Sequence, residues 1–144
     1  MLNRRNKKYK LTYHTKKIHG HTLHQIKALR DFGDVRKGDL GGWIESYHNL
    51  SQGGKSWVYD NAKVYGDAQI LMNARVYDSA EVYDYACVWD NAMILDQANI
   101  FGNAKVCGDA MIYDNDMVYG YTYVYSHIQM YGNGWVCSQN KLHE

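Results

Sequence analysis

The chain holds seven histidines, three cysteines and fifteen Asp/Glu, the residue types from which metal sites, nucleophiles and acid–base pairs are built. Their spacing decides whether any of these forms. His14, His19, His21 and His24 crowd one stretch, but they fit neither HExxH nor a Cys/His finger. His127 stands apart, near the C-terminal end. Cys87, Cys107 and Cys137 include no CxxC pair, and an odd count makes no disulfide framework. No Ser-His-Asp set, GxGxxG or phosphate loop can be assembled. The sequence therefore predicts no catalytic residue, no metal and no cofactor. What it offers instead is aromatic and electrostatic. There are 14 tyrosines against two phenylalanines, and no proline.

Charge is unevenly placed. Residues 1–30 carry nine Lys/Arg and no Asp or Glu, whereas the remaining residues carry seven Lys/Arg and all 15 acids. A net charge of +1 thus hides a basic start and an acidic body. Arg4, Arg5, Lys7, Lys8, Lys10, Lys16 and Lys17 read as an electrostatic arm for nucleic acid or an acidic partner. A solvated terminus, or an arm folded back on the acidic body, fits the same run.

The elements that must position these groups follow from a repeat. From Val58 the sequence reads in sixes: VYDNAK, VYGDAQ, ILMNAR, VYDSAE, and onward through thirteen unbroken hexads to Trp135. The first position is Val or Ile except at Met130. The fifth is Ala nine times running, from Ala62 to Ala110. The third and fourth are mostly Asp, Gly, Asn or Ser. A β-branched residue between outward neighbours makes a very short strand. The third and fourth residues turn the chain, because they tolerate left-handed backbone angles. The small fifth residue fits inside the corner. Six residues are too few for a hairpin but suit one side of a triangular coil. Three sides make an 18-residue coil, and stacked coils pair as parallel strands ~4.8 Å apart. Ile44 and Leu50 predict an earlier coil, with SQGGK (51–55) bulging between Leu50 and Val58. Asp116, Thr122, Ile128 and Gly134 break the alanine pattern. An inward Asp116 is costly to bury, so a slightly opened, water-accessible corner is expected there.

The second hexad position points outward, and residues 18 apart stack. One face carries Tyr59, Tyr77, Leu95, Tyr113 and Tyr131. A second carries Tyr65, Tyr83, Phe101, Tyr119 and Cys137. A third carries Leu71, Trp89, Cys107 and Tyr125. Stacked aromatics stabilise a β-ladder. They also mark contact surfaces, where Tyr, Trp and Met are enriched. Tyr59, Tyr77, Tyr113, Tyr131, Tyr65, Tyr83, Phe101, Tyr119, Trp89 and Tyr125 are the candidate partner-binding residues.

The thirteen hexads resemble the hexapeptide-repeat family. That resemblance implies a left-handed parallel β-helix, and the handedness comes from it alone. The expected fold is all-β, with about 4–5 coils and an N-terminal cap. Residues 1–43 form the basic arm and cap, 44–137 the β-helix, and 138–144 a short tail. The segment ALRDFGDVRKGDLGGWIESYHNLSQGGKSWVYDNAKVYGDA (28–68) resembles the lead-in of hexapeptide-repeat proteins from phages and prophages. Many family members transfer acyl groups from coenzyme A, using a loop that leaves the coils and a His between subunits. This chain has no insertion in its hexads, and only His127 lies within them. The reading is therefore a non-catalytic binding protein, phage- or prophage-encoded, that inhibits or sequesters a host component such as bacterial defence machinery. Its partners are a host protein and a second copy, as dimer or trimer, with nucleic acid reachable through the arm. The alternatives are a coenzyme A-dependent acyltransferase, a structural or virion protein, and a sponge for small nucleotides. No membrane span is expected, since no run of 18 apolar residues exists. Cysteine usage points to the bacterial host cytosol.

Overall fold

The computed structural model describes residues 7–125, together with the backbone of 129–130, 135–136 and 141–142. Three longer strands come first: β1 (Tyr9–Ile18), β2 (His21–Ala28) and β3 (Leu40–Ile44). A 3-10 turn follows at Tyr47–Asn49. Two-residue strands then recur every six residues, from Trp57–Val58 to Lys141–Leu142.

The short strands stack into three parallel sheets, the three faces of a left-handed β-solenoid. Register within the coils is 18 residues: Val58 pairs with Val76, Val64 with Val82, and Ile70 with Val88. The earlier coil exists, with a longer period. Ile44 pairs with Val64 and Leu50 bridges Ile70, both 20 residues apart. The two extra residues are absorbed in the 51–56 bulge. The stack also runs past residue 137, where the sequence suggested a tail. Lys141–Leu142 pairs in parallel with Tyr123–Val124, because Leu142 falls six residues after Val136 and continues the repeat.

Inside, the Val and Ile of the first position and the Ala of the fifth are fully buried. Every described third position adopts a left-handed backbone, from Asp60 (φ 56°) to Gly120 (φ 71°). Aspartate there also ties the coils together. Asp84 Oδ2 accepts the Gly102 N–H at 3.0 Å, and Asp90 Oδ2 accepts that of Gly108 at 3.0 Å. The expected opening at Asp116 does not occur. Asp116 and Thr122 are both fully buried, and Thr122 Oγ1 donates to Tyr119 O at 2.8 Å. The corner has room for side chains two or three heavy atoms larger than Ala without parting.

The open end of the first coil is plugged. β1 and β2 form an antiparallel hairpin, and β2 runs antiparallel to β3, extending one solenoid face. Trp57 is wedged edge-on between Tyr9 and Phe32, so it lies beneath the cap, not on an outer face. Gly41 permits this closure, since a Cβ there would sit 2.6 Å from the Val58 carbonyl. Lys8 is fully buried at the seam. Its ammonium donates to Ser56 O (2.7 Å), Ser56 Oγ (3.0 Å) and Gly53 O (3.1 Å). Gln52 pairs its amide with the N–H and C=O of Tyr9, and the Tyr47 hydroxyl accepts the Leu11 N–H. These side chains occupy the outer edge of β1, which would otherwise template strand addition. No described helix is long and apolar enough to cross a membrane.

Candidate binding surface

The 18-residue register places the outward tyrosines one above another, and on the Lys63–Met117 face they form a continuous stack. Tyr65, Tyr83, Phe101 and Tyr119 follow at 5.1 Å spacings, with successive planes within 6° of parallel. The spacing is the interstrand distance, so the rings repeat with the backbone. Tyr65 does not contribute an open surface. It is only 4% exposed, because the end of the hairpin folds over it. The His21 ring lies 4.9 Å from that of Tyr65. His21 Nδ1 is 3.0 Å from Glu45 Oε1, which in turn accepts the Gly66 N–H. Burial and the hydrogen bond to Glu81 hold the Tyr65 phenol far above its ordinary value. Tyr83 is also raised, chiefly by burial. The half-buried rings of Tyr83, Phe101 and Tyr119 are what this face presents.

The other two faces are broken. Tyr59 and Tyr77 stack at 4.3 Å, after which Leu95 interrupts the column. The Tyr59 hydroxyl donates to Asp34 at 2.8 Å, which ties the 31–39 loop to this face. Tyr113 is half-buried, while Tyr131 lies outside the described residues. On the third face Trp89 meets Tyr123 edge-on at 5.9 Å, and Tyr123 meets Tyr125 edge-on at 5.2 Å. Leu71, Met72, Cys87, Trp89 and Lys105 line an open apolar groove of about 310 Å³ there. Cys87 and Cys107 are free, and burial raises both thiols. They are therefore protonated and weakly nucleophilic at neutral pH.

The basic residues form a folded hairpin surface more than an arm. Lys8 is withdrawn into the cap, because the 52–56 bulge supplies it with oxygen acceptors. Lys16 lies 4.0 Å from the centre of the Trp43 ring, and Lys7 5.2 Å from that of Tyr47. Lys10 and Lys17 are exposed. Arg4 and Arg5 lie outside the described residues. Among the described residues no group of three His, Cys, Asp or Glu could hold a metal ion.

Two exposed residues were not singled out from the sequence. Tyr85 and Tyr121, 65% and 67% exposed, occupy the fourth hexad position on the corner beside the ring stack. Their separation of 36 residues, two coils, was the available signal.

No family model matches the chain. A 38-residue stretch is 50% identical to a protein of Escherichia coli (strain K12) described as the uncharacterized acetyltransferase YdcK. The stretch is 26% of this chain and 12% of that protein, so the chain covers only a small part of that relative's length. That similarity and the 18-residue coil both fit the hexapeptide-repeat family.

Proposed function

We propose that the protein is a non-catalytic binding scaffold whose Tyr83–Phe101–Tyr119 face and adjoining Tyr85/Tyr121 corner contact a protein partner. The observation that supports this most directly is the pair of protruding corner tyrosines beside a flat, half-exposed ring stack. The stack alone is explained by stability, but Tyr85 and Tyr121 contribute nothing to a core. Large exposed aromatics gathered on one side of a small protein mark a contact surface. The partner is either a second copy or a foreign protein. Light scattering on the purified chain, and affinity capture from bacterial lysate, test both. Tyr85→Ser/Tyr121→Ser should abolish the assembly or the captured complex while leaving the fold intact. An unchanged monomer that captures the same proteins with and without these tyrosines rejects the reading. The finer reading, a phage-encoded protein that sequesters host defence machinery, rests on the resemblance of the 28–68 lead-in. Its expression should then raise phage plaque counts on a defended bacterial strain, and unaltered counts would discard it.

A second reading, acyl transfer from coenzyme A, is favoured by the partial similarity to the acetyltransferase. It predicts thiol release from acetyl-coenzyme A in the presence of an amine or hydroxyl acceptor. Absence of release across acceptor classes removes it.

A further inference from the structure

The hairpin places two like charges directly opposite each other. Lys10 on β1 is the cross-strand partner of Lys27 on β2, and Lys27 is in turn opposite Leu40 on β3. Facing like charges destabilise a strand pair. Among the described residues neither ammonium has a carboxylate partner. The neighbouring Asp39 carboxylate accepts the Arg36 N–H. Residues 7–30 contain seven Lys/Arg and no acid, so nothing within the hairpin offsets the field.

Beside this pair the strand is deliberately irregular. Register shifts between Leu11 and Thr15, and Tyr13 on the bulge is wholly exposed, at 102%. The bulge is pinned. Thr12 Oγ1 donates to Gln25 O at 2.8 Å and accepts the His14 N–H, while Thr12 O meets His24 Nδ1 at 2.9 Å. Lys10, Tyr13, His14, Lys27, Gly38 and Leu40 line a groove of about 450 Å³. Bulges are over-represented beside binding sites, where they re-aim a side chain.

We propose that this groove binds single-stranded nucleic acid, with Lys10 and Lys27 on the phosphates and a base stacked on Tyr13. Lysine is a compact point charge suited to phosphate. A fully exposed ring beside it supplies the stacking platform that sequence-tolerant single-strand binders use. An acidic peptide would use the lysines but not the ring. A duplex would keep its bases from the ring, since stacked bases are not offered to a side chain. The surface is distinct from the Tyr85/Tyr121 corner, so either reading can fail alone.

The test is fluorescence anisotropy on the full chain with labelled 12-nucleotide oligo-dT and oligo-rU. Micromolar binding is expected, weakening by roughly 7-fold between 50 and 200 mM salt, as for about two neutralised phosphates. Tyr13→Ala should weaken it at least about fivefold. Its ring touches solvent only, so this variant folds, as circular dichroism would verify. Lys10→Gln/Lys27→Gln should weaken binding about tenfold and flatten the salt dependence. Tyr85→Ser/Tyr121→Ser should leave it unchanged. Absence of binding at low salt overturns the proposal. So does indifference to Tyr13→Ala, which would reduce the groove to a charged patch. Displacement of the oligonucleotide by polyglutamate at equal charge concentration would assign the groove to acidic peptides instead.

Discussion

The Asp96 carboxylate accepts the backbone N–H of Asp114, one coil further along, at 2.9 Å. Asp78 does the same for Asp96 at 3.0 Å. Both Asp96 and Asp114 have left-handed backbones, with φ of 58° and 57°. One residue type therefore does two things at this corner: it accepts the strained turn, and its side chain laces successive coils.

Replacing Asp96 by Ala removes both. The left-handed backbone costs about 1–2 kcal/mol for a residue with no local hydrogen bond to compensate, and the lost charge-assisted bond adds about 1.5 kcal/mol or more. Asp96→Ala should lower unfolding stability by about 2.5–3.5 kcal/mol in chemical denaturation. Asp96→Asn keeps an acceptor and tolerance of the turn, and should lose less than half of that. Equal losses for the two variants would show that the side-chain oxygen contributes nothing.

The role of these aspartates marks a boundary in what the sequence discloses. The hexad gives the period, the inward Val/Ile and Ala columns and the turn at Asp/Gly, because each follows from a local preference repeated every six residues. The contact between Asp96 and Asp114 spans 18 residues and depends on which oxygen faces the next coil, which no local preference encodes. The cap was less legible still. Lys8 reads as one basic residue among nine, and its burial depends on a loop 45 residues away supplying Gly53 O and Ser56 O. Tyr65 was legible as an outward ring, but the His21 that covers it belongs to a hairpin whose docking has no periodic signal. Tyr85 and Tyr121 were overlooked because they interrupt the turn pattern while leaving the inward one untouched.

Met72 is the exception among the described corners. It holds φ at 58° where every other one has Asp or Gly, and it is 53% exposed. A long side chain in this region is strained and gains no offsetting hydrogen bond. Met72→Asn should therefore raise stability by about 1 kcal/mol, read as an increased denaturation midpoint at unchanged slope. A loss of stability would mean that Met72 packing in the groove with Leu71 and Trp89 outweighs the strain.

Lys8 makes stability depend on pH. Burial, aided by the nearby Arg30 charge, lowers its pKa from 10.5 to about 7. The unfolded chain thus holds this proton more tightly than the folded one. Below pH 7 both states are protonated and Lys8 adds no slope. Between about pH 7 and 10 the folded state is neutral while the unfolded state is not, so stability rises with pH, by at most about 1.4 kcal/mol per unit. The excess of the wild-type denaturation midpoint over that of Lys8→Met should grow from pH 6.5 to 8 to 9.5, a comparison that cancels the opposing pull of the raised Cys87 and Cys107 thiols. Midpoints that fall over this range in the wild-type protein, but not in Lys8→Met, would show that the ammonium form is the one the Gly53 and Ser56 oxygens stabilise.

Stability and the proposed binding role of the aromatic face can be separated by mutation, because stacking and exposure fall on different residues. Phe101 has a parallel ring on each side, at 5.1 Å from both Tyr83 and Tyr119. Each such pair contributes about 0.5–1.5 kcal/mol beyond area burial, so Phe101→Ala should destabilise the rod by about 2–4 kcal/mol once lost apolar burial is included. Tyr85 and Tyr121 have most of their surface in water, and their replacement should shift stability by no more than about 0.5 kcal/mol. If the face serves stability alone, Phe101→Ala weakens the fold and the Tyr85→Ser/Tyr121→Ser pair changes nothing measurable. If it also serves binding, the corner pair loses the partner at undiminished stability. A binding loss seen with Phe101→Ala alone would locate the contact on the stacked rings and leave the corner tyrosines outside it.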